Sequence, residues 1–296
     1  SGDNAMPGAG HGKDLLDGGQ GNDTLWGDGS DDALSGGLGN DYLEGDYSTL
    51  EAAFHGKDTL DGGQGNDQLL GDGNDDRLYG GAGNDTLYGD SEGETLIGND
   101  LLDGGENDDI LHGNRGDDTL LGGTGNDGLW GDAGNDRLIG GAGMDGLNGG
   151  AGDDTYVFAS GDSPTAFNLS EGIDDSAGSN TVVFEDASVA DLSLTAFAGG
   201  LLMIDYSASD RLLVEGGLSG TVARYQFATG ERLSYAALIG RLLDGINTAT
   251  DASGHQVVTG GRGDNTIVSM TGAATLSGGR GSDTLSGGGG GNTYLY

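Results

Sequence analysis

The stretches GGQGNDTLW (18–26), GGLGNDYLE (36–44), GGAGNDTLY (80–88) and GGTGNDGLW (122–130) are copies of one nine-residue unit. The unit reads glycine-glycine-x-glycine-x-aspartate-x-leucine-x, and it recurs with two breaks over residues 10–154. A short fixed period of this kind is typical of stacked structural repeats rather than of one globular core. The sequence therefore predicts a solenoid that carries a regular column of carboxylates, whose charge something must neutralise.

The composition narrows the classes of partner. The chain has 296 residues, with 11 Lys and Arg against 49 Asp and Glu, which gives a net charge of −38. Phosphate contacts require basic side chains, so nucleic acid is not an expected partner. The chain lacks cysteine, and no stretch of 18 apolar residues predicts a membrane span. Because the chain starts at Ser1 without a recognisable signal segment, we expect it to be part of a larger polypeptide.

Three segments are predicted from the distribution of the repeat. Residues 1–154 hold the main array, with side-loop insertions near 45–52 and 89–94. Residues 155–254 lose the period and alternate like half-buried strands, with a helix predicted near 233–244, and we expect them to cap the open end of the solenoid. Residues 255–296 return to glycine-rich units in degraded form, which predicts the start of a second, short roll.

Each position of the repeat has a physical task. The leucine at position eight, between polar neighbours, predicts a short strand of about three residues with one inward side chain. The glycines at positions one, two and four permit positive φ and close backbone approach, which predicts a tight turn. Turn, strand, turn and strand then make one coil of 18 residues in a parallel solenoid.

The aspartates at position six are the candidate metal ligands. Hard oxygen ligands without His or Cys favour Ca²⁺ or Mg²⁺, and an irregular cage that includes backbone carbonyls suits Ca²⁺ better. Stacking one coil on the next places two such aspartates and two glycine turns around one gap. The candidate ligands are Asp14, Asp23, Asp32, Asp41, Asp58, Asp67, Asp76, Asp85, Asp100, Asp109, Asp118, Asp127, Asp136, Asp145 and Asp154.

The repeated unit resembles the RTX (repeat-in-toxin, haemolysin-type) calcium-binding nonapeptide family. The resemblance implies an all-β, right-handed parallel β-roll with Ca²⁺ ions between successive turns. It also implies a calcium-dependent structural and folding module of a large bacterial protein, exported by type I secretion and found outside the cell or on its surface. The stretches GDDTYVF (152–158), EGIDD (171–175), ASVADLSLT (187–195) and FATGERLSYAAL (227–238) are similar to the domain that often follows such arrays.

Several repeats depart from the consensus. Asn74 and Asn107 replace the fourth glycine, and Asn tolerates the left-handed geometry, whereas Ser30 is less well suited to it. We expect the ion sites to be weakest near the two insertions. In the second array, only one position-six residue is a carboxylate, so weak Ca²⁺ binding or none is expected there; the four residues are Asn265, Ala274, Asp283 and Asn292.

The sequence also bears on other functional classes. An enzyme is not expected, because the four histidines are far apart in the sequence, cysteine is absent and the ion ladder accounts for the paired carboxylates. A cell-surface glycan or a protein could bind the outer face of the roll, where the ninth positions of alternate repeats form a broken aromatic stripe. The same side chains could instead shield the strand edges; they are Trp26, Glu44, Leu70, Tyr88, His112, Trp130 and Asn148.

Overall fold

The fold is built almost entirely from β-strands. The structure, a computed structural model, describes residues 5–7, 12–46, 54–91, 97–162, 171–173, 177–188, 192–197, 202–207, 210–214, 222–234, 236–238, 247–250, 256–259, 266–269, 274–278, 282–287 and 292–295. Within these ranges there are 29 strands, and residues 236–238 are helical.

The nonapeptide array forms two parallel sheets that face each other. Odd-numbered strands belong to one sheet and even-numbered strands to the other, so the chain crosses between the sheets at every turn. The strands are β1 (Ala5–Pro7), β2 (Leu15–Gln20), β3 (Thr24–Asp28), β4 (Ala33–Leu38), β5 (Tyr42–Asp46), β6 (Thr59–Gln64), β7 (Gln68–Asp72), β8 (Arg77–Ala82), β9 (Thr86–Asp90), β10 (Leu101–Glu106), β11 (Ile110–His112), β12 (Thr119–Thr124), β13 (Gly128–Trp130), β14 (Arg137–Ala142) and β15 (Gly146–Asn148). The predicted all-β parallel roll is confirmed.

The register confirms the predicted coil of 18 residues. Leu16 pairs with Leu34, and Leu25 pairs with Leu43. Across the first insertion Leu34 pairs with Leu60, and across the second Leu78 pairs with Leu102. The insertions therefore lengthen single coils without changing the phase of the array. Most array strands have five or six residues rather than about three, because the parallel ladder continues into the glycine turn of the next repeat.

The position-eight leucines form the core of the roll. Each points between the two sheets and stacks on its equivalent in the next coil, as the alternation along a strand requires. The thirteen from Leu25 to Leu147 are at most 2% exposed, and Leu16, in the first complete coil, is partly buried. One leucine per strand is enough because the sheets are close together and the same side chain repeats along the axis. The buried members are Leu25, Leu34, Leu43, Leu60, Leu69, Leu78, Leu87, Leu102, Leu111, Leu120, Leu129, Leu138 and Leu147.

The glycines of the turn serve two different purposes. Positions two and four have positive φ, as at Gly37 and Gly39, and a Cβ on Gly39 would overlap the carbonyl oxygen of Gly21 in the preceding coil. Ser30 also adopts positive φ, at 83°, as do Asn74 and Asn107. The glycine at position one does not have positive φ, contrary to the expectation for it. A glycine is required there because the position-six aspartate packs over it and leaves no room for a Cβ.

Both sheets continue beyond the last nonapeptide. Tyr156 stacks on Leu138, and Val182 and Tyr225 extend the same buried column. The 11-stranded sheet ends at an antiparallel strand, and an antiparallel meander extends the 14-stranded sheet. The strands are β16 (Thr155–Phe158), β17 (Glu171–Ile173), β18 (Asn180–Phe184), β19 (Ser193–Phe197), β20 (Leu202–Asp205), β21 (Arg211–Val214), β22 (Val222–Phe227) and β23 (Arg232–Ser234).

The helix predicted near 233–244 is found only in part. Leu233 and Ser234 end strand β23, where they pair with β22, so the sheet takes the first residues of the apolar pattern. Residues 236–238 are helical, and residues 239–246 lie outside the described part of the chain.

The final segment returns to parallel stacking at the nonapeptide spacing. Strand β26 pairs with β19 and with β28, while β25, β27 and β29 form a second small parallel ladder. Ile267 and Leu276 are buried, which continues the inward position of the repeat. The division into segments 1–154, 155–254 and 255–296 stays a prediction. The strands are β24 (Asn247–Thr250), β25 (Gln256–Thr259), β26 (Thr266–Ser269), β27 (Ala274–Ser277), β28 (Thr284–Gly287) and β29 (Thr293–Leu295).

The turn geometry predicts unequal effects of two glycine substitutions. Gly39→Ala places a Cβ against the carbonyl of Gly21 at a positive φ, so we expect a loss of about 1–3 kcal/mol in the free energy of unfolding. Gly146→Ala is the matched control, because a Cβ there meets no atom within 4 Å. Thermal unfolding of both variants under identical conditions measures the difference. Equal unfolding temperatures for the two variants would contradict the assigned backbone strain.

Candidate metal centre

The position-six aspartates lie in two columns, one along each edge of the roll. All fifteen predicted ligands are in the described part of the chain, and all except the partly exposed Asp14 are at most 4% exposed. Such burial is unusual for carboxylates and requires compensation. One column contains Asp14, Asp32, Asp58, Asp76, Asp100, Asp118, Asp136 and Asp154, and the other contains Asp23, Asp41, Asp67, Asp85, Asp109, Asp127 and Asp145.

A repeated hydrogen bond joins each aspartate to the next one in its column. The backbone N–H of Asp109, for example, donates to Oδ1 of Asp127 over 2.8 Å. The same contact occurs seven times in one column and six times in the other, always between 2.6 and 2.9 Å. It crosses both insertions unchanged, from Asp32 to Asp58 and from Asp76 to Asp100. The aspartate ladder is therefore continuous across both insertions, and the expectation of weaker ion sites near them stays a prediction.

In eleven of these carboxylates the second oxygen has no hydrogen-bond donor among the described residues. These Oδ2 atoms are buried in the roll, and they occur in both columns. A buried charge without a partner is costly, so this repeated orphan oxygen marks a place for a cation. The set comprises Asp41, Asp58, Asp67, Asp76, Asp85, Asp100, Asp109, Asp118, Asp127, Asp136 and Asp145.

The orphan oxygen lies directly over the first glycine of its repeat. At Gly80, the position that a Cβ would take is 2.6 Å from Oδ2 of Asp85 and 2.6 Å from the carbonyl oxygen of Gly104. At Gly62 the corresponding distances are 2.5 Å to Oδ2 of Asp67 and 2.7 Å to the Gly80 carbonyl. A carboxylate and a backbone carbonyl of the next coil thus converge above a residue without a side chain.

Burial raises the pKa of three ladder carboxyls in the middle of the array, those of Asp100, Asp109 and Asp118, in the metal-free protein. Desolvation is the largest cause, and the charges of neighbouring aspartates add to it, while the backbone hydrogen bond opposes it. The pKa of Asp109 and that of Asp118 rise to about 7, and the pKa of Asp100 rises to about 9. Without a cation, Asp100 therefore favours the protonated form near neutral pH, whereas Asp109 and Asp118 titrate close to neutral pH.

The available donors match an oxygen-preferring divalent cation. In the described ranges, no group of three or more His, Asp and Glu side chains is arranged to hold a metal by itself. A site in this roll must therefore combine carboxylate oxygens with backbone carbonyls. Such mixed, all-oxygen coordination suits Ca²⁺, which accepts six to eight oxygens in flexible geometry.

The fifth position of the repeat forms a second ladder that the sequence analysis missed. The backbone N–H of Asn40 donates to Oδ1 of Asn22, and that of Asn66 donates to Oδ1 of Asn40, both over 3.0 Å. The direction is opposite to that of the aspartate ladder, because here each side chain accepts from the following coil. The recurring Asn-Asp pair at positions five and six was the available signal.

Additional buried carboxylates occur at position two of alternate repeats. Asp46, Asp72 and Asp90 are 1–2% exposed, although consensus would place glycine there. Asp46 accepts from the backbone N–H of Gly56 over 2.7 Å, and its Oδ2 lies 3.3 Å from Nδ1 of His55. The sequence analysis did not include these carboxylates, although the recurring Gly-Asp dipeptide indicates them in the sequence.

The ninth-position stripe forms one row, as predicted for insertions that preserve phase. The pairings run from Trp26 to Asn148 through every coil. The His112 ring is stacked between those of Tyr88 and Trp130, with centroid distances of 5.2 and 4.8 Å. The rings thus face one another along the axis of the roll.

Comparison with known proteins assigns the family. One part of this comparison gives no result, because the search of curated proteins finds no match. Among the described residues of this chain, no helix is long and apolar enough to cross a membrane. The profile of the RTX calcium-binding nonapeptide repeat (4 copies) matches residues 9–43, 55–91, 94–129, 121–156, 130–163 and 259–294, which together cover more than half of the chain. The chain therefore belongs to the family of RTX calcium-binding nonapeptide repeat proteins, whose repeats bind Ca²⁺.

Proposed function

We propose that this calcium-binding module drives the folding of a large type I-secreted or surface-attached bacterial protein when that protein meets millimolar Ca²⁺ outside the cell. The observation that carries the proposal is the column of buried carboxylate oxygens without a protein donor. A roll with these orphan charges is unfavourable alone and becomes favourable when a cation occupies the gaps between its coils.

We infer that the carboxylate ligands are the fifteen position-six aspartates from Asp14 to Asp154, with glycine-turn carbonyls completing each site. Ca²⁺ supplies positive charge to an edge that lacks cationic side chains within the ladder. The protein residues do the positioning: the leucine column fixes the spacing of the coils, and the Asp N–H to Asp Oδ1 bond orients each carboxylate. Asp283 is the equivalent residue in the second array, and its Oδ2 also lies over a first-position glycine, Gly278.

The size of the calcium effect is sufficient to control folding. If each site has a dissociation constant on the order of 0.1–1 mM, a tenfold excess of Ca²⁺ stabilises the folded state by about 1.4 kcal/mol per site. About ten sites then contribute roughly 14 kcal/mol, which is comparable to the whole stability of a typical domain. At micromolar cytosolic Ca²⁺ this contribution vanishes and the repulsion between carboxylates remains.

Export in an unfolded state follows from the same balance. A chain that does not fold at cytosolic Ca²⁺ concentrations stays extended, and it acquires its structure only outside. The net charge of −38 favours solubility of the unfolded chain and opposes its collapse. The family resemblance supports the extracellular location, and within this proposal catalysis is not assigned to these residues.

A carbohydrate-binding or adhesive module on the outer face is the alternative function. The residues expected to bind a sugar were those of the aromatic stripe, and their ring faces would have to be exposed to stack against it. Tyr88, His112 and Trp130 stack on one another instead, and the Trp130 ring lies over Gly128. This arrangement favours a structural role for the stripe, in which the rings cover the strand below them.

Calcium removal provides the direct test. We expect the β-sheet signal in circular dichroism to be absent in excess chelator at pH 8 and to appear cooperatively as Ca²⁺ rises into the millimolar range. Mg²⁺ at equal concentration serves as the control, and we expect it to be much less effective because it retains its waters. Full β structure in chelator would overturn the folding proposal.

Substitution of one ladder carboxylate separates metal binding from structure. Asp109→Asn keeps the oxygen that accepts from Asp85 but replaces the orphan oxygen by a neutral amide. We expect a loss of roughly 1–3 kcal/mol of stability in saturating Ca²⁺, from one or two weakened sites. Isothermal titration measures the lost sites, and thermal unfolding in saturating Ca²⁺ measures the lost stability.

Asp108→Asn is the matched control for that experiment. Asp108 is exposed and accepts hydrogen bonds from Asn126, which an asparagine at position 108 can also accept. The Asp108→Asn variant should bind the same number of calcium ions as the unchanged protein and should be equally stable. A similar calcium loss in both variants would show that general acidity, rather than the buried column, binds the ion.

Acidification should stabilise the metal-free roll. Burial raises the pKa of Asp109 and Asp118 to about 7 in the folded protein, against 3.8 for the free side chain. The folded state therefore binds protons more tightly, and its stability rises as the pH falls from 7 towards 4. In chelator we expect β structure to increase between pH 8 and pH 5, while the apparent Ca²⁺ affinity decreases because protons compete for the same oxygens. A metal-free protein whose β content falls on acidification would contradict this prediction.

A further inference from the structure

A cationic cavity lies on the outer face of the 11-stranded sheet, beyond the calcium array. It has a volume of about 260 Å³ and lies over strands β16, β18, β22 and β23. The register brings Thr155, Thr181 and Arg224 into one row across the sheet. Val183, Gln226 and Arg232 form the neighbouring row. Side chains of both rows project from the same face, because they are two residues apart along each strand.

The charge of this cavity is opposite to that of the rest of the molecule. Two guanidinium groups line it, and no Asp or Glu is among the described residues that do so, although the chain has 49 acidic residues. The backbone of Arg224 belongs to the ladder between β18 and β22, and its side chain makes no hydrogen bond or ion pair with another described residue. Arg232 donates from Nε to Oε1 of Gln226 over 3.0 Å, which leaves its terminal nitrogens available. In the same sheet, Arg137 is held by Glu185 at 3.5 Å, so pairing with acids does occur nearby.

The other lining groups indicate which anion would fit. Thr155 and Thr181 offer hydroxyls and Gln226 offers an amide, while Val183 supplies a small apolar contact. The backbone N–H groups of Thr155 and Thr181 already donate to the carbonyls of Asp136 and Asp154. Phosphate sites commonly use free backbone N–H groups at nests or helix N-termini, and the floor of this cavity supplies none from these two threonines.

We propose that this cavity is a subsite for an acidic sugar, with Arg224 and Arg232 binding the carboxylate of a uronate and the threonine and glutamine side chains binding its hydroxyls. The planar guanidinium fork matches a carboxylate in two-point hydrogen bonding. The volume is below that of pockets for drug-sized ligands, so the cavity accommodates about one sugar residue. The inference requires a folded roll and otherwise does not depend on the proposed role in export.

The test measures binding of three small ligands to the full chain in saturating Ca²⁺. Isothermal titration with glucuronate should give a dissociation constant on the order of 1 mM. Glucose, which lacks the carboxylate, should bind at least tenfold more weakly, and so should inorganic phosphate. Equal binding of phosphate would show a general anion site and overturn the assignment to a sugar. Equal binding of glucose would show that the arginines are not used.

Substitutions locate the binding in the cavity. The double variant R224Q/R232Q should weaken glucuronate binding at least tenfold. R224K should lie in between, since lysine keeps the charge and loses the fork. R77Q is the matched control, because Arg77 is exposed on the same sheet but lies outside the cavity, and it should bind like the unchanged chain.

Circular dichroism of each variant in Ca²⁺ verifies that the roll is folded. A folded R224Q/R232Q variant with unchanged affinity overturns the proposal, and so does the absence of glucuronate binding by the folded, unchanged chain. If R77Q lost as much glucuronate affinity as the double variant, the proposal would also be overturned, because the effect would then come from net charge.

Discussion

The structure depends on how the charge of two buried columns of carboxylates is compensated. Every aspartate after the first of its column uses Oδ1 to accept a backbone N–H from the preceding coil, and in most of the ladder Oδ2 faces a glycine turn without a described donor. The hydrogen bonds orient the carboxylates, but they do not remove the charge. In the function that we propose, a divalent cation bound between coils would do both, and the ion would then be a part of the core rather than an addition to a finished fold.

The remaining features of the repeat are consequences of that packing. The carboxylate needs space, and the first glycine provides it, since a Cβ there would meet Oδ2 at 2.6 Å in the repeat at Gly122. The turn must then reverse within a few residues, which places positions two and four at positive φ. The leucine column supplies the apolar burial of the array, with one leucine per strand.

The roll does not end where the nonapeptides end. Tyr156, Val182 and Tyr225 replace leucine in the inward column, and larger aromatic side chains such as Phe184 and Phe227 widen the core there. The aspartate columns stop at the same place, and Asn180 takes the next position by accepting the N–H of Asp154 over 3.0 Å. A neutral amide thus closes the ladder at the point where wider apolar packing takes over. The cationic cavity lies over this segment, just beyond the last of the fifteen aspartates.

The sequence alone determined the period, the parallel roll, the inward leucines and the fifteen aspartates, because a strict nine-residue repeat leaves each position one role in every coil. It also located most strands of the middle segment, such as Asn180–Phe184 and Arg211–Val214, from their alternating pattern. Only the tertiary structure decided which contacts these residues make with other coils. Residues 18, 24 or 26 positions apart meet across the stack. No local sequence pattern reveals which carboxylate oxygen is left without a described donor. Nor does any local pattern reveal that Arg224 and Arg232 share one cavity.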